Sequence, residues 1–152
     1  MSSTGPDLIA AVMATADALM RESHRLFRPH GLTGAQYNVL NVLAARDEAM
    51  SQRELSDVLV VDRSNVTGLL DRMEKAGWVK RADDPADRRV YRISLTAAGR
   101  KLWAKVRPKY EDSVAAVTRG LGAAQMKAGI ELLQCLEKAS VNWRGGADRK
   151  IL

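Results

Sequence analysis

"RADDPADRRVYRISLTAAG", residues 81–99, decides the fold. Asp83, Asp84 and Pro85 are turn formers. Beyond them Tyr91, Ile93 and Leu95 alternate with Arg92 and Ser94, the period of a half-buried strand. Trp78 and Val79 begin its partner strand, and Thr96 stands where it can cap a following helix. The stretch therefore reads as a hairpin that hands over to a helix. A plain hairpin has no need of Arg88 and Arg89 at its tip. The loop reads as one that carries positive charge outward, with Asp87 as the bidentate partner that directs a guanidinium.

Upstream lies "SQRELSDVLVVDRSNVTGLLDRMEKAGWVKR", residues 51–81. Ser51 and Glu54 have the spacing of a capping box. They open a short helix whose Leu55, Val58 and Leu59 are predicted to face inward. "VVDRSN" is a tight link. The next helix carries Val66, Leu69, Leu70 and Met73 at i, i+3, i+4, i+7, and Gly77 ends it. Short helix, tight link and a helix with a polar outer face make a helix-turn-helix, and a hairpin directly after it is a wing.

A helix that enters a major groove must present hydrogen-bonding side chains, because base edges are read that way. The outward residues here are Arg63, Ser64, Asn65, Thr67, Gly68 and Arg72. Asn suits adenine, Arg suits guanine, and Thr can touch a thymine methyl. Gly68 costs about 1 kcal/mol of helix propensity against Ala, which close approach to a partner explains. Ser51 and Gln52 begin the preceding helix, whose free N–H groups can meet a phosphate. Arg88 or Arg89 reaches a minor groove, where narrow A·T tracts concentrate negative potential. The same residue types also occur on an ordinary solvated helix face.

Working outward, a first helix is predicted from Asp7 to Leu26, broken by Pro29 and Gly31. Thr33 and Gln36 form a second capping box before a helix with Tyr37, Leu40 and Leu43. A fifth helix runs to about Arg119, and a sixth from about Ala123 to Ala139 with Met126, Ile130, Leu133 and Leu136. The chain is mainly α with a small β-hairpin wing. Its parts are an N-terminal helix (1–30), a winged helix-turn-helix (31–96), C-terminal helices (97–141) and a flexible tail (142–152).

The length of 152 residues suits one domain with an oligomerising extension. Net charge is +6, yet residues 1–50 carry −1, residues 51–92 carry +1 and residues 93–152 carry +6. Net charge thus does not locate the binding element; local placement does. The single cysteine, Cys135, excludes an internal disulfide framework and fits a reducing compartment. No stretch resembles a secretory signal or an uncharged membrane span, so a cytoplasmic protein is expected. No Gly-rich phosphate loop, nucleophile elbow or metal-ligand spacing appears, so neither enzyme nor cofactor is expected. Two histidines without a carboxylate cluster do not make a metal site.

"GLTGAQYNVLNVL", "SQRELSDVLVVDRSNVTGLLDRMEKAGWVKR" and "DDPADRRVYRISLTAAG", in this order, resemble the multiple-antibiotic-resistance regulator (MarR) family of bacterial winged-helix transcription factors. The resemblance covers Gly31 to Leu102 by motif and the rest by helix order. It implies a homodimer joined through the first, fifth and sixth helices, which binds a pseudo-palindromic double-stranded operator. It implies a fourth helix in the major groove, Arg89 in the minor groove and Asp87 as its brace. It further implies a repressor that a small phenolic or other anionic ligand releases. His24, His30 and Tyr37 lie near where such ligands bind and are the candidate pocket groups. One branch of the family senses peroxide through a cysteine in the first helix. This chain has none there, and Cys135 is expected to be a small buried apolar residue. The second functional class is a winged-helix protein–protein interaction module without specific DNA binding, which salt-dependent duplex affinity separates from the first.

Overall fold

The computed structural model describes residues 4–46, 48–59, 63–87 and 89–146. Three of its helices begin on one device. α1 (Gly5–Phe27), α2 (Gly34–Ala44) and α3 (Gln52–Val58) each follow a hydroxyl residue, Thr4, Thr33 or Ser51, whose oxygen accepts the N–H three residues on. The side chain at that third position returns a bond to the cap's own N–H. Asp7 does so at 3.0 Å, Gln36 at 2.8 Å and Glu54 at 2.7 Å. Each box satisfies two donors that a helix start leaves open. The boxes at Thr33 and Ser51 are those the sequence predicts. The one at Thr4 is additional and moves the start of α1 back to Gly5. α1 ends at Phe27, a 3-10 turn spans Arg28–His30, and Gly31 takes a φ of 70° in the left-handed region.

The wing is more than the hairpin that the sequence predicts. β1 (Met50–Ser51), β2 (Val79–Asp83) and β3 (Tyr91–Leu95) form an antiparallel sheet in the order β1-β3-β2. β3 is central, with Val79 opposite Leu95, Asp83 opposite Tyr91, and Met50 opposite Ile93. β1 escapes periodicity reading because two residues carry no period. It nevertheless fastens the wing to the residue that caps α3.

α4 (Arg63–Lys75) lies between α3 and β2. Its Val66, Leu69, Leu70 and Met73 are buried and join Leu40, Leu55, Ile93 and others in one core. Full burial of such a side chain contributes about 1.5–3 kcal/mol. Leu59 belongs to that core, whereas Val58, predicted to face inward, is 47% exposed. α3 ends at Val58, and the extended backbone of Leu59 (φ −78°, ψ 134°) turns the leucine inward instead.

The α4–β2 junction is built by Gly77, at φ 74°, with the Trp78 N–H returning to the Met73 carbonyl at 3.0 Å. Thr96 then begins α5 (Ala97–Thr118). Its hydroxyl donates to the Gly77 carbonyl at 2.6 Å and accepts the Gly99 N–H at 3.0 Å. A Cβ on Gly99 would lie 2.0 Å from the Trp78 carbonyl oxygen, which is why glycine stands there.

The chain divides into two compact units, Met1–Asp112 and Ser113–Leu152. The second contains the end of α5 and α6 (Ala123–Gly146). α6 continues to Gly146 through residues the sequence assigns to a loose tail. Gly145 and Gly146 each cost about 1 kcal/mol of helix propensity but do not forbid the helical backbone. Residues 147–152 of the predicted tail lie outside the described residues. Cys135 is exposed on α6, not buried as expected. Among the described residues no helix is long and apolar enough to cross a membrane, and no cluster of metal-binding side chains occurs.

Candidate nucleic-acid interface

α4 turns its apolar stripe into the core and its polar face out. Asn65, Thr67 and Arg72 are exposed and Gly68 is half-buried. The side chains of Arg63 and Ser64 lie outside the described residues, as does Arg88. A Cβ on Gly68 would meet nothing closer than the Arg72 guanidinium at 3.6 Å. Among the described residues nothing therefore requires a glycine there.

At the start of α3, the Ser51 hydroxyl accepts the Glu54 N–H at 3.2 Å, so the residue serves as a cap. The Gln52 side chain is turned sideways. Its Nε2 donates to the Thr67 hydroxyl oxygen at 2.6 Å. The first residue of α3 thereby touches the middle of the outer face of α4.

At the wing tip, Arg89 and Asp87 pair as the sequence predicts. Arg89 Nε and Nη2 donate to the two carboxylate oxygens of Asp87, each at 3.1 Å. The Arg89 N–H adds a third bond at 3.0 Å. The paired Arg89 side chain holds the Asp87 carboxyl below the usual carboxylate range. Despite this bracing, 90% of the Arg89 side chain remains exposed. A charged group held in one direction and left in solvent is suited to a polyanion.

Sequence reading missed the bonds beneath the tip. Asp84 is buried at 7% exposure, and its carboxylate accepts the Ala86 N–H at 2.8 Å and Arg92 Nε at 2.5 Å. Those bonds, the Ala86 N–H foremost, lower its pKa. Arg92 also reaches Glu54, and Arg81 reaches Asp71 and Glu74. Alternation along β3 marks Arg92 only as outward, and nothing local in the sequence names partners so distant.

The three candidate pocket groups do not come together. His24 lies along an open groove with Met20, Arg21 and Arg28. His30 Nε2 is 3.4 Å from Lys109 Nζ. Tyr37 faces elsewhere, into a cleft of about 280 Å³ between α2 and α5 lined with Asn41, Trp103, Arg107, Tyr110 and Glu111. Trp103 Nε1 donates to Asn41 at 3.1 Å, and the Arg107 guanidinium lies 5.1 Å from the Trp103 ring centroid. Arg107 Nε also donates to Glu111 at 2.6 Å. The Tyr37 ring is fully buried, and its hydroxyl has no partner among the described residues. Burial pushes its pKa up to about 12, so the hydroxyl stays protonated against the wall of the cleft.

A family model described as "MarR family" matches residues 30–90, a stretch that contains the helix-turn-helix and ends within the wing. The chain belongs to the MarR family. A curated MarR relative, HTH-type transcriptional regulator TtmR of Methylorubrum extorquens (strain PA1), is 40% identical over 114 residues, or 70% of this chain and 58% of the relative. The chain spans about half the length of this and other curated relatives. Among MarR-type folds, the M. tuberculosis regulator MOSR, solved in complex with DNA, superposes with a TM-score of 0.72 at 29% identity, covering 87% of this chain and 96% of that one. NadR, solved with 4-hydroxyphenylacetate, superposes with a TM-score of 0.71 at 26% identity, covering 90% and 96%.

Proposed function

We propose that this MarR-family chain is a dimeric, sequence-specific DNA-binding transcriptional regulator of the cytoplasm. It represses, and a small anionic or phenolic ligand relieves the repression. The observation that carries the reading is the Asp87–Arg89 pair, which fixes a guanidinium while leaving 90% of it in solvent. Beside it, Asn65, Thr67 and Arg72 offer donors and acceptors to a major groove, and Gly68 permits close approach. MOSR, which has a similar fold, is itself solved in complex with DNA.

A second copy of the chain is the partner. α1 exposes Leu8, Ile9, Met13 and Met20, and α6 separately exposes Met126, Ile130 and Leu133. An isologous two-fold interface removes such surface from water. It also sets two recognition helices on half-sites about 34–36 Å apart along a pseudo-palindromic operator. Such a footprint blocks a promoter that it overlaps, hence repression.

The effector occupies the α2–α5 cleft. Tyr37 supplies an unpaired donor, Arg107 a positive charge, and Trp103 and Tyr110 apolar walls. A small aromatic acid or phenol matches that chemistry, as the ligand of NadR illustrates.

Fluorescence anisotropy over a salt series tests the function, using a duplex from upstream of the gene and a scrambled duplex. The expected result is preferential binding with log K falling against log salt by about 0.9 per phosphate neutralised. Absence of duplex binding at low salt overturns the reading and favours a protein–protein interaction module.

A further inference from the structure

Each long strand of the wing sends one arginine back to the helix-turn-helix. On β3, Arg92 Nε donates to Asp84 Oδ2 at 2.5 Å, and Nη1 donates to Glu54 Oε2 at 3.1 Å. Asp84 organises the wing turn from within, since its N–H also reaches the Val90 carbonyl at 2.9 Å. Glu54 Oε2 accepts the Ser51 N–H at the same time, at 2.7 Å. One planar guanidinium thus joins the inside of the wing turn to the first turn of α3. On β2, Arg81 Nη1 donates to Glu74 at 2.5 Å and Nη2 to Asp71 at 2.6 Å, both on α4. The Arg81 N–H adds a bond to Glu74 at 3.1 Å.

The geometry points to Arg92 as a positioning residue that locks the wing to the helix-turn-helix and so fixes the distance from Arg89 to the outer face of α4, with Arg81 making the matching tie to α4. The inference rests on the DNA-binding reading above. Arg92 itself is turned away from the outer face, toward Asp84 and Glu54. Its contribution is the register between two grooves. Base pairs follow one another at about 3.4 Å along the duplex. A wing held by both strands cannot slide by that amount, whereas a wing hinged at its base can follow a displaced tract. Arginine suits the task because its rigid fork serves two carboxylates at once; an ammonium is a point charge on a flexible stem. Partly exposed ion pairs contribute little stability singly, so alignment is the larger consequence of the contacts.

The test uses the full-length chain with Arg92→Lys and, as a gentler variant, Glu54→Gln. The glutamine keeps the capping acceptor on α3 and removes the charge that Arg92 meets. Amide hydrogen exchange without DNA reports on the lock. Anisotropy then reports on register, with duplexes in which an A·T tract is moved by one base pair relative to the half-site. The expected result is severalfold faster exchange at Asp84, Ala86 and Val90 in Arg92→Lys, at a thermal midpoint close to wild type. In both variants the penalty for moving the tract should shrink severalfold. Unchanged wing exchange in Arg92→Lys, or an undiminished penalty in folded variants, overturns the inference. A wild-type protein that binds duplex with no preference for tract position instead overturns the placement of Arg89 in a minor groove. In that case the exchange data still report whether the lock exists.

Discussion

Gln52 and Thr67 stand 15 residues apart in the chain and meet through their side chains at 2.6 Å. Both belong to the surface that sequence patterning assigns to DNA, and each restricts the other. Gln52 has a defined direction because Thr67 accepts its amide hydrogen. Gln52→Ala should therefore flatten base preference at one operator position in a random-sequence duplex selection. Its thermal midpoint should move little, because a neutral hydrogen bond contributes only about 0.5–1.5 kcal/mol net. A selection profile identical to wild type removes the pair from the readout.

Arg89→Ala should weaken operator binding by about 1–3 kcal/mol, most at sites flanked by A·T tracts. Asp87→Asn keeps a side-chain acceptor for the Arg89 N–H but loses one carboxylate oxygen, so its effect should be smaller and of the same sign. Anisotropy titrations on flanked and unflanked duplexes rank the two.

Gly68→Ala should raise the thermal midpoint, since alanine is favoured by about 1 kcal/mol in a helix interior. The nearest side-chain atom, on Arg72, is 3.6 Å from the added carbon. Operator affinity should fall in the same variant. A simultaneous gain in both properties contradicts close approach at Gly68.

Tyr37→Phe removes a buried hydroxyl that has no partner among the described residues. Deleting an unsatisfied polar group does not leave a new orphan, so the variant should melt at or above the wild-type temperature. Its DNA should no longer be released by phenolic acids that release the wild type. Retained ligand response places the effector elsewhere.

Acid should loosen the wing through Asp84. The folded-state pKa of this carboxyl lies below its ordinary value because the Ala86 N–H and Arg92 favour the charged form. A depressed pKa contributes stability that is present above the unfolded-state pKa, near 3.9, and lost as pH falls through the folded value. Thermal unfolding between about pH 5 and pH 2 should show this loss, and Asp84→Asn should abolish part of the dependence. A pH profile unchanged by the substitution would show that Asp84 is not the group responsible.

The helical part of the fold was legible because its signals are local. Caps at Thr33 and Ser51, the apolar spacing of α4 and the break at Gly77 each lie within a few residues of the feature they specify. The Asp87–Arg89 pair was legible for the same reason. Arg92 was not, because its partners Asp84 and Glu54 stand on different elements, and the Glu54 pair spans 38 residues. Val58 misled because spacing treats α3 as a continuing helix, whereas Leu59 leaves it. The candidate pocket scattered because His24, His30 and Tyr37 are close in sequence but stand on three separate elements, and only Tyr37 of the three lines the α2–α5 cleft. Its other walls come from α5, with Trp103 bonded to Asn41 across 62 residues.

The Thr96 hydroxyl sits where α4 has just ended and α5 is beginning, and it bonds toward both. The absent side chain of Gly99 brings the backbone of α5 against the Trp78 carbonyl with no room between them. Mechanically this is a pivot without backlash. α4 has 13 residues, which at about 1.5 Å each makes a lever of roughly 20 Å. A rocking of α5 by about 5° at the pivot sweeps the far end of α4 through nearly 2 Å for such a length. That end carries Asn65, so a movement too small to disturb the core at Thr96 is comparable to the margin within which a hydrogen bond to a base edge is made or missed.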